Sequence, residues 1–383
     1  MPAQVEVKRV EGAVGRRCFV DVPFRLHGHD PLWIPPLRMS VMDRISPRHP
    51  AMAHQEIALW IAYRNGKPAG RIGACRDSLF DAHNNEKWGW IGFFDSVKDP
   101  ALAGALFDKA CAWSLEKGAQ RCVGPANFTT NDEVGLLVEG WEVPPTLLTL
   151  ENPRYYEALW TGAGWTQAMD LWAWEFDLGT VALPERHKTT LARMRERAGV
   201  RLRQLDMSRY DEEVSRFFEV YNAAWRNNWG FAPMPEPEVR HLAKQLKTII
   251  DPQFAVGLET ASGEVVAVGL GLPDINPLML RVRSGRLAPT GWYHLLAGRR
   301  DYTKVRIFAL GVKPEYEHLA LGPMLYSELM ERCVAHPRLR GVEASWLLAS
   351  NTRMNKVPEA MGGRRSKVWR LYQRGAESAS PST

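Results

Sequence analysis

Phe308-Ala309-Leu310-Gly311-Val312-Lys313-Pro314-Glu315-Tyr316-Glu317-His318-Leu319-Ala320-Leu321-Gly322-Pro323-Met324-Leu325 is the stretch on which the fold turns. Its apolar run up to Val312 reads as a buried strand, and Pro314 cannot continue a ladder. Gly322-Pro323 then opens an apolar helix to about Ala335, with proline in the first turn, where its missing N–H costs nothing. First-turn amides have no partner within their helix and the helix dipole favours negative charge, so this strand, loop and helix make a ready anion site. Leu310, Gly311 and Val312 end the strand before this loop, and a second apolar strand is read at Val342 to Leu348.

Outward from this stretch the second half reads as a strand at Val200 to Leu205 and helices at Asp211 to Asn227 and Glu236 to Ile250. A hairpin of Phe254 to Glu259 with Val265 to Leu272 follows, then a helical stretch around Leu278 to Leu296. A short helix from Asn351 and a closing strand, Lys367 to Gln373, finish it. The first half repeats this order about 190 residues earlier. Its strand Val5 to Val10 precedes a polar, proline-punctuated stretch through Trp33, Pro35 and Pro36. Its hairpin turns at Asn65-Gly66, a strong type I′ signal. Trp88 to Phe94 follows as a strand, and Asp99-Pro100 caps the next helix, which runs to about Lys117. Strand Arg121 to Val123, a helix near Pro153 to Gly162 and strand Trp165 to Asp177 complete the half. Leu183 to Ala198 reads as a charged helical connection.

This running order resembles the GCN5-related N-acetyltransferase (GNAT) fold, present twice. It is most similar to a bacterial group of about this length with paired GNAT-like halves. Gly124-Pro125-Ala126-Asn127, the run from Gly135 to Trp141 and Tyr221-Asn222-Ala223-Ala224-Trp225 look typical of that group. The resemblance implies an α/β (α+β) chain of two tandem domains, each a mixed, mostly antiparallel sheet flanked by helices. The domains are expected at residues 1–178 and 179–375, with a disordered tail at 376–383. It implies an acyl-CoA-dependent N-acyltransferase, an acetyltransferase by family habit, acting on the amine of a small molecule. Acetyl-CoA or another acyl-CoA is then held by Leu310, Gly311, Val312, Ala320, Gly322, Met324 and Asn351. The expected base is Glu343, with Tyr316 or Tyr326 a weak substitute proton donor. Acceptor recognition falls to Asn222, Trp225, Asn228, Trp229, Asp274, Asn276 and Trp346, with Asn127 and Asn131 from a polar cluster that also holds Thr129, Thr130, Asp132 and Glu133. Packing competes with recognition for Trp225.

The match has departures. Glu317 stands where the family usually carries Arg or Gln, and a carboxylate about 5 Å from a phosphate costs roughly 3 kcal/mol at an effective dielectric of 20, so it must turn outward. Ala320 replaces a glycine, and Pro323, though well placed to start the helix, has no N–H to offer a phosphate. The helix after Asn351 lacks the family's tyrosine, with Pro358 near its place. In the first half only Asp95 to Lys98 separate strand from cap, too short to wrap a diphosphate, so one active centre is expected. Two other readings stay open: an aminoacyl-tRNA-dependent transferase with paired GNAT halves, and a non-catalytic metabolite-binding protein.

Composition narrows this further. With 45% hydrophobic and 24% charged residues, the 383-residue chain is an ordinary folding one, not a disordered one. Lys plus Arg less Asp plus Glu is 49 − 43 = +6, spread along the chain, so nucleic acid is not expected as a partner. Five cysteines without CxxC or Cys/His zinc spacing predict buried thiols and no metal. The N-terminus alternates like a strand, and no apolar run reaches the ~20 residues of a bilayer span. A cytoplasmic protein with no membrane partner is expected; oligomeric state is not specified.

Overall fold

The structure, a computed structural model, describes residues 5–181 and 185–375. The first half supplies β1 (Val5–Arg9), α1 (Gly12–His27), α2 (Arg38–Arg44), β2 (Gln55–Arg64), β3 (Lys67–Asp77), α3 (Ser78–Asn84), β4 (Trp88–Ser96), α4 (Pro100–Glu116), β5 (Arg121–Gly124), β6 (Leu136–Glu139), α5 (Tyr156–Gly162) and β7 (Thr166–Asp177). Helix α6 (Glu185–Arg197) leads into β8 (Val200–Gln204), α7 (Tyr210–Trp225), α8 (Glu236–Leu246), β9 (Ala255–Thr260), β10 (Val265–Pro273), α9 (Asn276–Met279), α10 (Gly291–Gly298), β11 (Lys304–Val312), α11 (Leu321–Ala335), β12 (Gly341–Leu348), α12 (Thr352–Ala360) and β13 (Arg364–Gly375).

Local chemistry accounts for most of these elements. The β2–β3 turn has positive φ at Asn65 (51°) and Gly66 (75°), as that dipeptide favours. The Asp99 carboxylate accepts from the Ala101 and Leu102 amides, and Pro100 fits the first turn of α4. Two readings need correction. The stretch after β1, read as irregular, contains α1 with Pro23 inside it. Proline leaves the Phe19 carbonyl without its helical donor, and Arg71 Nη1 fills that place at 3.1 Å. The helix read over Leu278 to Leu296 is instead α9 and α10, separated by a turn through Gly285 (φ 64°) and Pro289.

The strands form one mostly antiparallel α/β sheet in the order β1-β2-β3-β4-β5-β13-β7-β12-β11-β10-β9-β8, with β6 on β13. Each half lends its last strand to the other. β13 lies between β5 and β7 (Tyr372 opposite Gly124, Val368 opposite Trp172), and β7 pairs with β12 on its other edge (Val342 opposite Phe176). Strand Lys367 to Gln373 therefore closes a sheet across the halves, because alternation identifies a strand but not its partner.

Two parallel pairs position the site. β4 and β5 pair from Trp88/Arg121 to Trp90/Val123, and β11 and β12 from Lys304/Gly341 to Ile307/Ala344. Beyond the first pair the notch is stitched: the Ala126 amide donates to the Ile91 carbonyl at 2.7 Å, and the Phe93 amide to Asn127 Oδ1 at 2.7 Å. Even a Cβ at Gly92 would lie 1.8 Å from the Ala126 carbonyl oxygen. Beyond the second pair, Phe308 to Val312 run on without a partner on β12.

Candidate active site

Where β11 leaves β12, Phe308 and Trp346 line a cavity of about 590 Å³ between the halves. Helix α8 adds Leu242 and Leu246, and the α9–α10 region adds Leu278, Met279 and Leu295. The first half adds Phe93, Phe94, Leu147 and Leu148. Exposed lining residues Ser40, Gln245, Thr248, Leu296 and Arg299 mark its rim. Apolar surface predominates, but ionisable side chains interrupt it, among them Arg44, Asp95, Asp132, Glu133 and Glu151, so the cavity suits a ligand with a hydrocarbon body and a polar end.

Buried polar groups of the second half build one wall by gripping a loop of the first. Thr146 Oγ1 donates to Glu343 Oε1 at 2.7 Å, and the Leu147 amide donates to Asp274 Oδ1 at 3.0 Å. Asn276 Nδ2 donates to the Pro145 carbonyl at 2.8 Å, and Lys367 Nζ to the Pro144 carbonyl at 2.6 Å. Arg306 Nη1 donates to the Leu147 and Leu148 carbonyls, its Nε to Ser345 Oγ at 3.0 Å, and its guanidinium stacks 4.6 Å from the Trp346 ring. Leu148 is held at φ 59°, a strained conformation for a branched residue. Buried carbonyls and amides need such partners.

Several residues predicted to act in catalysis or recognition therefore serve this wall. Glu343 is fully buried, accepts from Thr146 and Ser345, and lies 3.6 Å from Lys367 Nζ. Burial would raise its pKa, but Lys367, Lys304, the Thr146 hydroxyl and Arg306 outweigh that and hold it below its ordinary value. It does not line the cavity. Burial pushes Asp274 up to about 6 despite its two backbone donors. Tyr316 lies away from the cavity, its hydroxyl donating to Glu264 Oε2 at 3.1 Å.

The structure brings Asn127, Asn131, Asn276 and Trp346 together in the cavity lining. It leaves out Asn222, Trp225, Asn228 and Trp229. Trp225 stacks on Tyr221 and covers the backbone of β11, where a Cβ on Gly311 would come within 2.2 Å of its ring. Trp229 packs 5.1 Å from Trp88, and Asn222 Nδ2 reaches the Met234 carbonyl at 3.4 Å. Asn351 caps α12 through the Met354 amide, and Met324 sits in the second-half core.

Two cavity carboxylates have pKa values raised by burial: Glu151, which sequence analysis did not name and whose buried Oε2 has no hydrogen-bond partner among the described residues, and Glu133, placed there only within a polar cluster. Glu133 accepts from Asn127 Nδ2 at 3.1 Å. Adjacent Asp132 instead pairs with Arg44 at 2.8 Å. The Trp346 indole N–H, also buried, has no hydrogen-bond partner among the described residues. Asp43, His49 and His241 bring ligating atoms within 4.8 Å of one another near the rim, a grouping sequence spacing hides. His241 Nε2 already bonds Asp43 Oδ2 at 2.7 Å.

The segment after β11 is not an open loop: Pro314–Leu319 form a 3₁₀ turn, and α11 begins at Leu321, ahead of the expected opening at Gly322-Pro323. Ala320 takes a left-handed conformation (φ 55°) as N-cap of α11 and no side chain caps the helix. A Cβ at Gly322 would meet nothing closer than 3.8 Å. Glu317 is exposed, and its carbonyl accepts from Arg353 Nη2 at 3.3 Å.

The chain, with its exchanged final strands and parted second-half pair, has the fold of a tandem GNAT protein. The chain belongs to the family of the bacterial ceramide synthase of Caulobacter vibrioides, with which it is 36% identical over 379 residues, 97% of this chain and 98% of that one. It is also 31% identical to protein YghO of Escherichia coli over 366 residues, covering 94% and 92% of the two chains. Among solved structures, a tandem GNAT protein from the clavulanic acid biosynthesis pathway superposes with TM-score 0.56 at 14% identity, covering 99% of this chain and all of that one. A GCN5-related N-acetyltransferase from Sphaerobacter thermophilus gives 0.51 at 12% identity, covering 97% and 95%. No family model matches the sequence.

Proposed function

We propose that the protein is an acyl-CoA-dependent N-acyltransferase whose acceptor is the amine of a long-chain amino alcohol. The cavity carries this reading: its lining is mostly hydrocarbon and it begins where β11 parts from β12. The pantetheine amides would pair with free backbone at Phe308 to Val312, and the diphosphate would take the first amides of α11 around Gly322. The acceptor chain would fill the apolar pocket with its amine near Glu133. A ceramide is an N-acylated long-chain amino alcohol, so the name of the Caulobacter relative supports the same class.

In this reading Glu133 removes the proton from the attacking amine, and a pKa raised by burial makes it a stronger base than an ordinary carboxylate. The Trp346 indole donates to the developing oxyanion on the thioester carbonyl. The new C–N bond forms as the C–S bond breaks, and the proton ends on the departing thiolate. Glu343 and Arg306 hold the wall and the Trp346 ring, and are positioning residues.

The test is to incubate the protein with a long-chain acyl-CoA and either a long-chain amino alcohol or a short hydrophilic amine. Mass spectrometry should find the N-acyl product and free CoA with the long-chain acceptor alone. Product with neither acceptor, or only with the hydrophilic one, overturns the proposal.

A further inference from the structure

From residue 275 to residue 300 the chain contains Arg281, Arg283, Arg286, Arg299 and Arg300 but no acidic residue. Within that run α10 exposes Trp292 (51%), Tyr293 (59%) and Leu296 (53%), three of the seven most exposed large hydrophobic side chains among the described residues. Spacings of three and four put them on one side of the helix. Arg283 anchors the segment to the first half, donating to the Trp33 carbonyl at 2.7 Å and the Gly28 carbonyl at 3.1 Å, and Arg38 Nε donates to the Ser284 carbonyl at 2.7 Å. Leu32 (70% exposed) and Met39 (59%) lie on the chain segments joined by these contacts. The nearby acids are few: Asp21 pairs with Arg38, Asp30 bonds the Leu32 amide, and Asp301 lies 3.3 Å from Arg338. Leu296 and Arg299 belong both to this surface and to the cavity rim.

We propose that α10 and the arginine-rich segment before it dock on an anionic lipid bilayer, so that the cavity mouth opens at the membrane surface. Indole and phenol rings favour the headgroup level, where a hydrocarbon face and a polar edge are both satisfied. Arg281, Arg286, Arg299 and Arg300 are exposed and outnumber the nearby acids, which complements anionic headgroups. No helix among the described residues is long and apolar enough to cross a membrane, and an interfacial helix need not be. The expectation of no membrane partner, drawn from the lack of a spanning segment, does not bear on a surface of this kind. The proposal rests on the lipid-like acceptor inferred above, which would reach the cavity from the bilayer past Leu296 and Arg299.

The test is sedimentation of the full chain with vesicles of phosphatidylcholine alone or mixed with phosphatidylglycerol, without acyl-CoA or acceptor. Mixed vesicles should bind the protein at least about tenfold more tightly, with affinity falling as salt rises. The triple variant Trp292→Ala/Tyr293→Ala/Arg300→Glu should lose about tenfold or more of that binding, yet keep wild-type turnover of an acceptor supplied in detergent micelles. Wild-type protein that ignores both vesicles, or a variant that binds as well as wild type, overturns the docking surface. So does a dimer seen by light scattering that the triple variant abolishes, without vesicle binding, since the patch would then belong to a second copy. Because binding is read without turnover, docking and acyl transfer can fail separately.

Discussion

Glu133 and Glu343 divide the work expected of a single carboxylate. Glu133 lines the cavity with a raised pKa, whereas Glu343 is sealed behind the wall in a bonded cluster. Glu133→Gln should lower kcat/KM by about 100-fold or more with little change in Tm, read by steady-state kinetics and thermal melts. A base must be ionised, so activity should fall as pH drops through a pKa above the ordinary carboxylate range, and that limb should vanish in the variant. Glu343→Ala should instead cost about 3–5 kcal/mol in denaturant titration, because it strands Lys367 and Arg306 without their buried partner. His54 gives a second pH effect. Its ring bonds Asp77 at 3.0 Å from the first half and Glu238 from the second. Burial alone would lower its pKa, but these bonds outweigh that and lift it to about 9. The contact therefore contributes in full below the unfolded value of ~6.5 and is lost as pH rises through about 9, on the order of 3 kcal/mol by urea titration. His54→Gln should flatten that loss.

At the scale of elements, the loop from Val312 to α11 shows how far the sequence could be read. The strand end at Val312 and the helix after the loop follow from local rules of proline and glycine, and the structure has both; the left-handed turn at Ala320, a residue that disfavours it, was not foreseen. Gly322→Glu should lower acyl-CoA affinity at least tenfold, about 1.4 kcal/mol, while the protein melts as before, since the position has room for a Cβ. Unchanged calorimetric titration would remove the diphosphate from this turn. Helix α7 was legible as amphipathic, but the use of its aromatic face was not. Trp225 packs on Gly311, a contact 86 residues away that periodicity cannot report. Helix α1 went unread because Pro23 breaks the local rule and Arg71, from another element, repairs it. Asp274 and Asn276 were singled out as polar residues closing a strand, and Glu343 as a carboxylate on one. Their role in gripping the loop at 144–148 is tertiary information.

The whole molecule is joined by its exchanged strands. A duplicated GNAT-like order was visible in the succession of elements; the exchange was not, because strands β7 and β13 look alike to any local pattern. A chain ending at residue 178 lacks β13, which fills the space between β5 and β7, and should fail to give a cooperative melt when expressed alone. Two-way sharing also makes the cavity a property of the full chain, with walls from both halves. The most direct measurement of what that cavity does is kcat/KM against acceptor chain length for a series of 2-amino alcohols with one acyl-CoA. Each added methylene removed from water is worth about 0.8 kcal/mol, so kcat/KM should climb roughly fourfold per carbon until the pocket is full, then level off. A profile that stays flat, or is highest for the shortest amine, would contradict a hydrocarbon-binding acceptor site.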